Sequence, residues 1–158
     1  MKFHREDAGD KNTFTGYGDG YVEVNRARHQ SSLVVTGERL VTDWPATAVE
    51  ALAPDHMAAI AELNPEIVLI GTGSRLTFPD RALLAPLYKA GIGVEVMDTP
   101  AACRTYNILL SEGRGVLAAV IVESEVARDG KSVASFPSDV EPESPQFVAR
   151  LEQLHRAK

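Results

Sequence analysis

Ile67-Val68-Leu69-Ile70-Gly71, Val94-Glu95-Val96-Met97 and Val116-Leu117-Ala118-Ala119-Val120-Ile121-Val122 are the three stretches whose reading decides the fold. The first and third are apolar without alternation, the habit of strands covered on both faces in a parallel sheet. Between the first two, Leu83, Leu84, Leu87 and Tyr88 recur at helical spacing over residues 80–90, and Gly91 supplies the stop. Between the second and third, Thr99 is placed to cap a helix, with Pro100 at its first position and an end at Glu112 before Gly113. Strand, helix, strand, helix, strand with short connections predicts two βαβ units with right-handed crossovers and parallel strands adjacent in one sheet.

Working outward from that core, Pro54-Asp55-His56-Met57 opens a helix whose stripe is Met57, Ile60, Ala61 and Leu63, stopped by Asn64-Pro65. Ser32 to Thr36 and Arg39 to Trp44 flank Gly37-Glu38, a hairpin whose leading glycine suits a type II′ turn. Tyr21-Val22-Glu23-Val24 alternates as a strand does, whereas residues 4–20, punctuated by Gly16, Gly18 and Gly20, read as loop. Trp44, before Pro45, is either a core plug or an exposed anchor. The chain divides into a flexible lead-in (1–13), one α/β domain (14–124) and a flexible acidic tail (125–158). Within the tail, 128–145 is expected to lack regular structure and 146–156 to form a short helix through Phe147, Leu151 and Leu154.

With 44% hydrophobic and 24% charged residues in 158, the composition is that of a globular domain. No apolar run approaches the roughly 20 residues of a membrane-spanning helix. The first residues carry both charge signs without an apolar stretch, so no leader is read there and a cytoplasmic setting is expected. Cys103 is the single cysteine, which excludes an intramolecular disulfide and a zinc site of several thiolates. A net charge of −6, with basic clustering limited to Arg26 and Arg28, lacks the footprint of a nucleic-acid binder.

The candidate chemistry is sparse. Gly71-Thr72-Gly73 after a buried strand, with Asp98 closing the next one, imitates a dinucleotide fingerprint, but the third glycine position is Leu76 and no helix begins at the glycines. Gly130-Lys131-Ser132 resembles the end of a phosphate-binding loop, yet Glu125 stands where its first glycine belongs. His4, His29, His56 and His155 lie in four different segments, and neither a His-x-x-x-His nor a Gly-x-Ser-x-Gly pattern occurs. Cys103, near a helix start and beside Arg104, is expected to be a packed thiol whose burial outweighs the helix dipole. Asn107, one turn on, is expected to hydrogen-bond and orient a neighbouring loop, and Glu112 and Arg114 to form a solvated pair around Gly113. No catalytic residue, metal or cofactor is expected. If the chain binds a small anionic molecule, the crevice at the C-terminal ends of the parallel strands is the place, with Thr72, Gly73, Asp98, Thr99, Cys103 and Asn107 around it.

At Gly71-Thr72-Gly73, Val94 through Thr99, Ala101-Ala102-Cys103-Arg104-Thr105-Tyr106-Asn107 and Glu112-Gly113-Arg114, the sequence resembles the family of small α/β domains that contains the mitochondrial complex I assembly factor 3 and a human adipogenesis-associated relative. The resemblance runs from Phe14 to Val122 and is most specific from Asp98 to Arg114. It implies a three-layer α/β fold with a mixed central sheet, helices, and a smaller antiparallel layer near the N-terminus. It implies no catalytic residues. Its functional implication is a non-catalytic protein partner, as in respiratory complex assembly. The absence of a mitochondrial leader and the longer acidic, Pro-containing tail point to a bacterial-type member.

Overall fold

A computed structural model describes residues 11–123. Its strands are β1 (Phe14–Gly18), β2 (Tyr21–Val24), β3 (Ala27–His29), β4 (Leu33–Thr36), β5 (Leu40–Val41), β6 (Ile67–Gly71), β7 (Gly93–Met97) and β8 (Val116–Val120). The α-helices are α1 (Pro54–Glu62), α2 (Ala85–Lys89) and α3 (Thr99–Ser111), with 3-10 turns at Val49–Ala51 and Arg81–Leu84. The expectations for 128–145 and 146–156 fall outside the described residues.

β6 lies between β8 and β7 and is parallel to both, with Ile67 beside Val116 on one side and Gly93 on the other. The expected parallel core is therefore present. β4 adds antiparallel to β8 and β5 to β4, so the five-stranded sheet, ordered β5-β4-β8-β6-β7, is mixed. The step from β6 to β7 carries α2 over one face, and the step back across β6 to β8 carries α3 over the other. Opposite steps on opposite faces give both crossovers the same hand.

That arrangement explains the unbroken apolar runs. Successive strand residues point to opposite faces. Val68, Ile70, Leu117 and Ala119 pack with Met57, Ile60, Leu84 and Leu87 under α1 and α2. Leu69, Ala118 and Val120 pack with Ala102, Cys103 and Tyr106 of α3 and with Phe14, Val22 and Val24 of the small antiparallel sheet β1-β2-β3. Each Val, Leu, Ile and Met among them contributes about 1.5–3 kcal/mol of burial. Trp44 belongs to the first cluster and is buried, which makes it a core plug.

Several local expectations are corrected. The glycine-rich stretch holds β1, whose alternation is invisible in the sequence because only Phe14 of its five residues is buried. The 36–39 turn is not type II′, since Gly37 is not among the glycines with positive φ. Asn12 spans it instead, its Nδ2 donating to the carbonyls of Thr36 (3.0 Å) and Arg39 (3.1 Å). The helix expected over 80–90 begins as a 3-10 turn capped by Asp80. Arg114 pairs with Glu66 at 2.7 Å rather than with Glu112, because the chain reverses at Gly113 (φ 79°) and brings β8 alongside β6.

The cap of α3 is also one residue earlier than expected. Asp98 Oδ1 accepts from the Ala101 N–H at 2.8 Å, and this releases the Thr99 hydroxyl. That hydroxyl donates to the Ile121 carbonyl (2.7 Å) and accepts from the Gly73 N–H (2.8 Å), joining the segments that follow β6, β7 and β8. Within α1, His56 is fully buried; its Nδ1 accepts from the Ala53 N–H at 3.2 Å and its ring lies edge-on to Trp44.

Two outcomes follow for stability. Thr99→Val keeps the shape but leaves a buried donor and acceptor unsatisfied, so urea unfolding should show a loss of about 2–3 kcal/mol, with Thr99→Ser close to the parent. Burial lowers the His56 pKa below its usual 6.5, the neighbouring Asp55 only partly opposing this. The unfolded chain then binds the proton more readily, so this contribution is full above pH 6.5 and declines as pH falls from there toward the folded-state pKa. His56→Gln, which retains an acceptor for the N-cap, should unfold with a shallower pH dependence across that window than the parent.

Candidate functional site

The loops after β6 and β7 leave the sheet toward opposite faces, and such a switch point opens a crevice at the C-terminal strand ends. The crevice is present as a cavity of about 250 Å³. Gly73 and Ser74 reach it from β6, Thr99 and Pro100 from the start of α3, Val122 and Glu123 from the segment after β8, and Tyr17, Asp19 and Tyr21 from the β1–β2 turn.

Of the residues expected around this crevice, Gly73 and Thr99 line it. Thr72 is buried behind it, where its hydroxyl donates to the Arg75 carbonyl (2.7 Å) and accepts from the Thr77 N–H (3.1 Å). Asp98 is occupied as the helix cap. Cys103 is buried in the core under α3, and desolvation pushes its thiol up to about 12 against the weaker opposing pull of Arg104. Asn107 faces β1, accepting from the Phe14 N–H (3.0 Å) and donating to the Phe14 carbonyl (2.7 Å), so it orients a neighbouring segment as expected.

The glycines of Gly71-Thr72-Gly73 serve two different needs. A Cβ on Gly71 would come within 3.0 Å of the Thr99 backbone, so the strand end can approach α3 only as glycine. Gly73 has φ +98°, and a Cβ there would meet the Glu123 side chain at 2.7 Å. Both roles are steric, which accounts for the pattern without a dinucleotide.

Electrostatically the cavity does not favour an anion. The first-turn donors of α3 are committed within the chain: the Thr99 N–H to the Gly73 carbonyl, the Ala101 N–H to Asp98, and Pro100 has none. Asp19 and Glu123 bring carboxylates to the lining. Glu123 Oε1 accepts from the Ser74 hydroxyl (2.9 Å) and N–H (3.3 Å), fixing the start of the following loop. Among the described residues no three His, Cys, Asp or Glu side chains are gathered as a metal site, and no helix is long and apolar enough to cross a membrane.

Beyond the cavity, the loop from Ser74 to Asp80 presents Leu76 and Phe78 to solvent, at 51% and 72% exposure. Thr72 and Glu123 hold its first half in place. The sequence carries a signal for it, two large apolar residues between Gly73-Ser74 and Pro79-Asp80. Tyr17, Asp19 and Glu123 carried none, because they meet only through the fold.

Three comparisons place the chain. It is 41% identical to a Bordetella parapertussis protein of known crystal structure, with a TM-score of 0.68 over 72% of this chain and 97% of that one. It is 37% identical over 73 residues to the 13 kDa major membrane protein of Francisella tularensis, covering 46% of this chain and 59% of that protein. Over 83 residues it is 39% identical to the human NADH dehydrogenase [ubiquinone] 1 alpha subcomplex assembly factor 3, covering 51% of this chain and 45% of that protein. The chain thus spans about half the length of these curated relatives. Residues 14–121 match the family described as "Protein of unknown function (DUF498/DUF598)", and the chain belongs to that family.

Proposed function

We propose that this protein is a non-catalytic interaction factor of the cytoplasm that holds a protein client during assembly of a respiratory NADH dehydrogenase, a reading supported by its likeness to a human protein named as an NADH dehydrogenase assembly factor. The observation that carries the reading is the Leu76–Phe78 loop. Exposed apolar side chains on a loop tied down by hydrogen bonds to Thr72 and Glu123 form a preorganised contact, which loses little entropy on binding. The opposite case, an enzyme working from the crevice, would need a reactive group there, and the thiol in α3 is turned into the core instead.

Two experiments test this. Affinity capture from native lysate by the tagged chain should enrich NADH dehydrogenase subunits over a Phe78→Asp control, whose own stability should change by no more than about 0.5 kcal/mol. Equal recovery by both proteins would overturn the reading. Cys103 in the folded protein should react with iodoacetamide at pH 7 roughly three orders of magnitude more slowly than a free cysteine peptide. A rate matching the peptide would bring the enzyme reading to the front.

A further inference from the structure

β7 ends the five-stranded sheet, and no strand among the described residues pairs with its outer side. The phase of its ladder is fixed at both ends. The Gly93 N–H donates to the Glu66 carbonyl (3.2 Å), and the Met97 carbonyl accepts from the Thr72 N–H (2.9 Å). In a parallel pair alternate residues face the partner, so Gly93, Glu95 and Met97 spend their backbone groups on β6. The N–H and C=O groups of Val94 and Val96 therefore point outward, off the edge of the sheet. Their side chains meanwhile pack at the border of the α1–α2 cluster, while Glu95 is exposed on the opposite face.

We infer that β7 is a docking edge for an extended segment of a partner protein, which adds as a sixth strand and places a basic residue beside Glu95 between two β-branched residues. Val94 and Val96 offer two donors and two acceptors to such a strand. A neighbour's alternate apolar side chains would continue the face that Val94 and Val96 already share with α1 and α2. Its intervening residue would stand beside Glu95, where opposite charge is favourable and like charge is not. This selects against a second copy of the chain. The antiparallel self-pairing that uses all five residues sets Glu95 against its own equivalent, and a register slipped by two residues shortens the ladder. The inference rests on the reading of the chain as an interaction factor and names the kind of client segment it grips.

The test uses the full chain labelled for NMR, with two synthetic pentapeptides, Thr-Val-Lys-Val-Thr and Thr-Val-Glu-Val-Thr. The free protein should show fast amide exchange at Val94 and Val96 and slow exchange at Glu95 and Met97. The lysine peptide should shift and protect the Val94 and Val96 amides, binding about threefold more tightly than the glutamate peptide. Glu95→Lys, a change at an exposed position, should reverse that preference. Val96→Pro removes one outward donor without touching the inward ladder, and should weaken both peptides. Absence of amide shifts with either peptide, an unchanged preference in Glu95→Lys, or concentration-dependent dimerisation that protects Val94 and Val96 would each overturn the inference. Capture of NADH dehydrogenase subunits that survives Glu95→Lys would remove the docking edge and leave the proposed function standing. Peptide docking without such capture would do the reverse.

Discussion

A strand that is parallel to both its neighbours has no freedom left, and β6 is that strand here. Its backbone groups are committed to β8 on one side and β7 on the other, and its side chains are covered on both faces. Two crossovers must then reach those neighbours over opposite faces, which fixes α2 to one side and α3 to the other. The crevice at the strand ends, the two apolar clusters and the exposed edge at β7 all follow from that placement. The top of the sheet closes by the same logic: with Gly71 lacking a side chain, α3 can begin directly against β6, and the Thr99 hydroxyl takes up the backbone groups that the diverging loops leave unpaired.

The parallel core was legible because burial on both faces leaves a simple record, a run such as Ile67 to Ile70 with no polar residue in it. The resemblance supplied what that record lacks, the three layers and the mixed sheet. β1 was not legible: its glycines and exposed residues look like loop, and it holds its place through contacts made 90 residues away, where Asn107 bonds both backbone groups of Phe14 and Tyr106 packs edge-on to its ring at 5.3 Å. Local sequence cannot report such a bond. The misplaced helix cap has a related cause. Asp98 and Thr99 are both good caps, and what decides between them is the need for a hydroxyl at the junction with Ile121 and Gly73, which only the folded sheet creates.

The polar residues that sequence inspection picks out as chemical candidates turn out to be joints. Thr72 shapes a loop, Asp98 caps a helix, Thr99 ties three segments, and Asn107 fastens the small sheet to α3. Each spends its hydrogen-bonding capacity inside the chain, which is the normal fate of a buried polar group. Cys103 completes the set as packing, since its thiol belongs to the same buried cluster as Leu33, Val120 and Tyr106, and the desolvation there outweighs the pull of Arg104.

Polar groups used as joints leave the surface to carry recognition, and the surface here is uneven. Charged side chains are spread over it, yet the Leu76–Phe78 loop and the β7 edge offer apolar area and unpaired backbone on elements that are themselves held by hydrogen bonds. Rigidity matters more than area for such contacts, because the entropy of ordering a loop or fraying strand is subtracted from whatever the contact gains. The same hydrogen bonds that remove Thr72 from candidate chemistry therefore make the loop beside it a competent contact. The same ladder that buries β6 decides which backbone groups of β7 face outward. In this fold, binding surface is a by-product of how the core is closed.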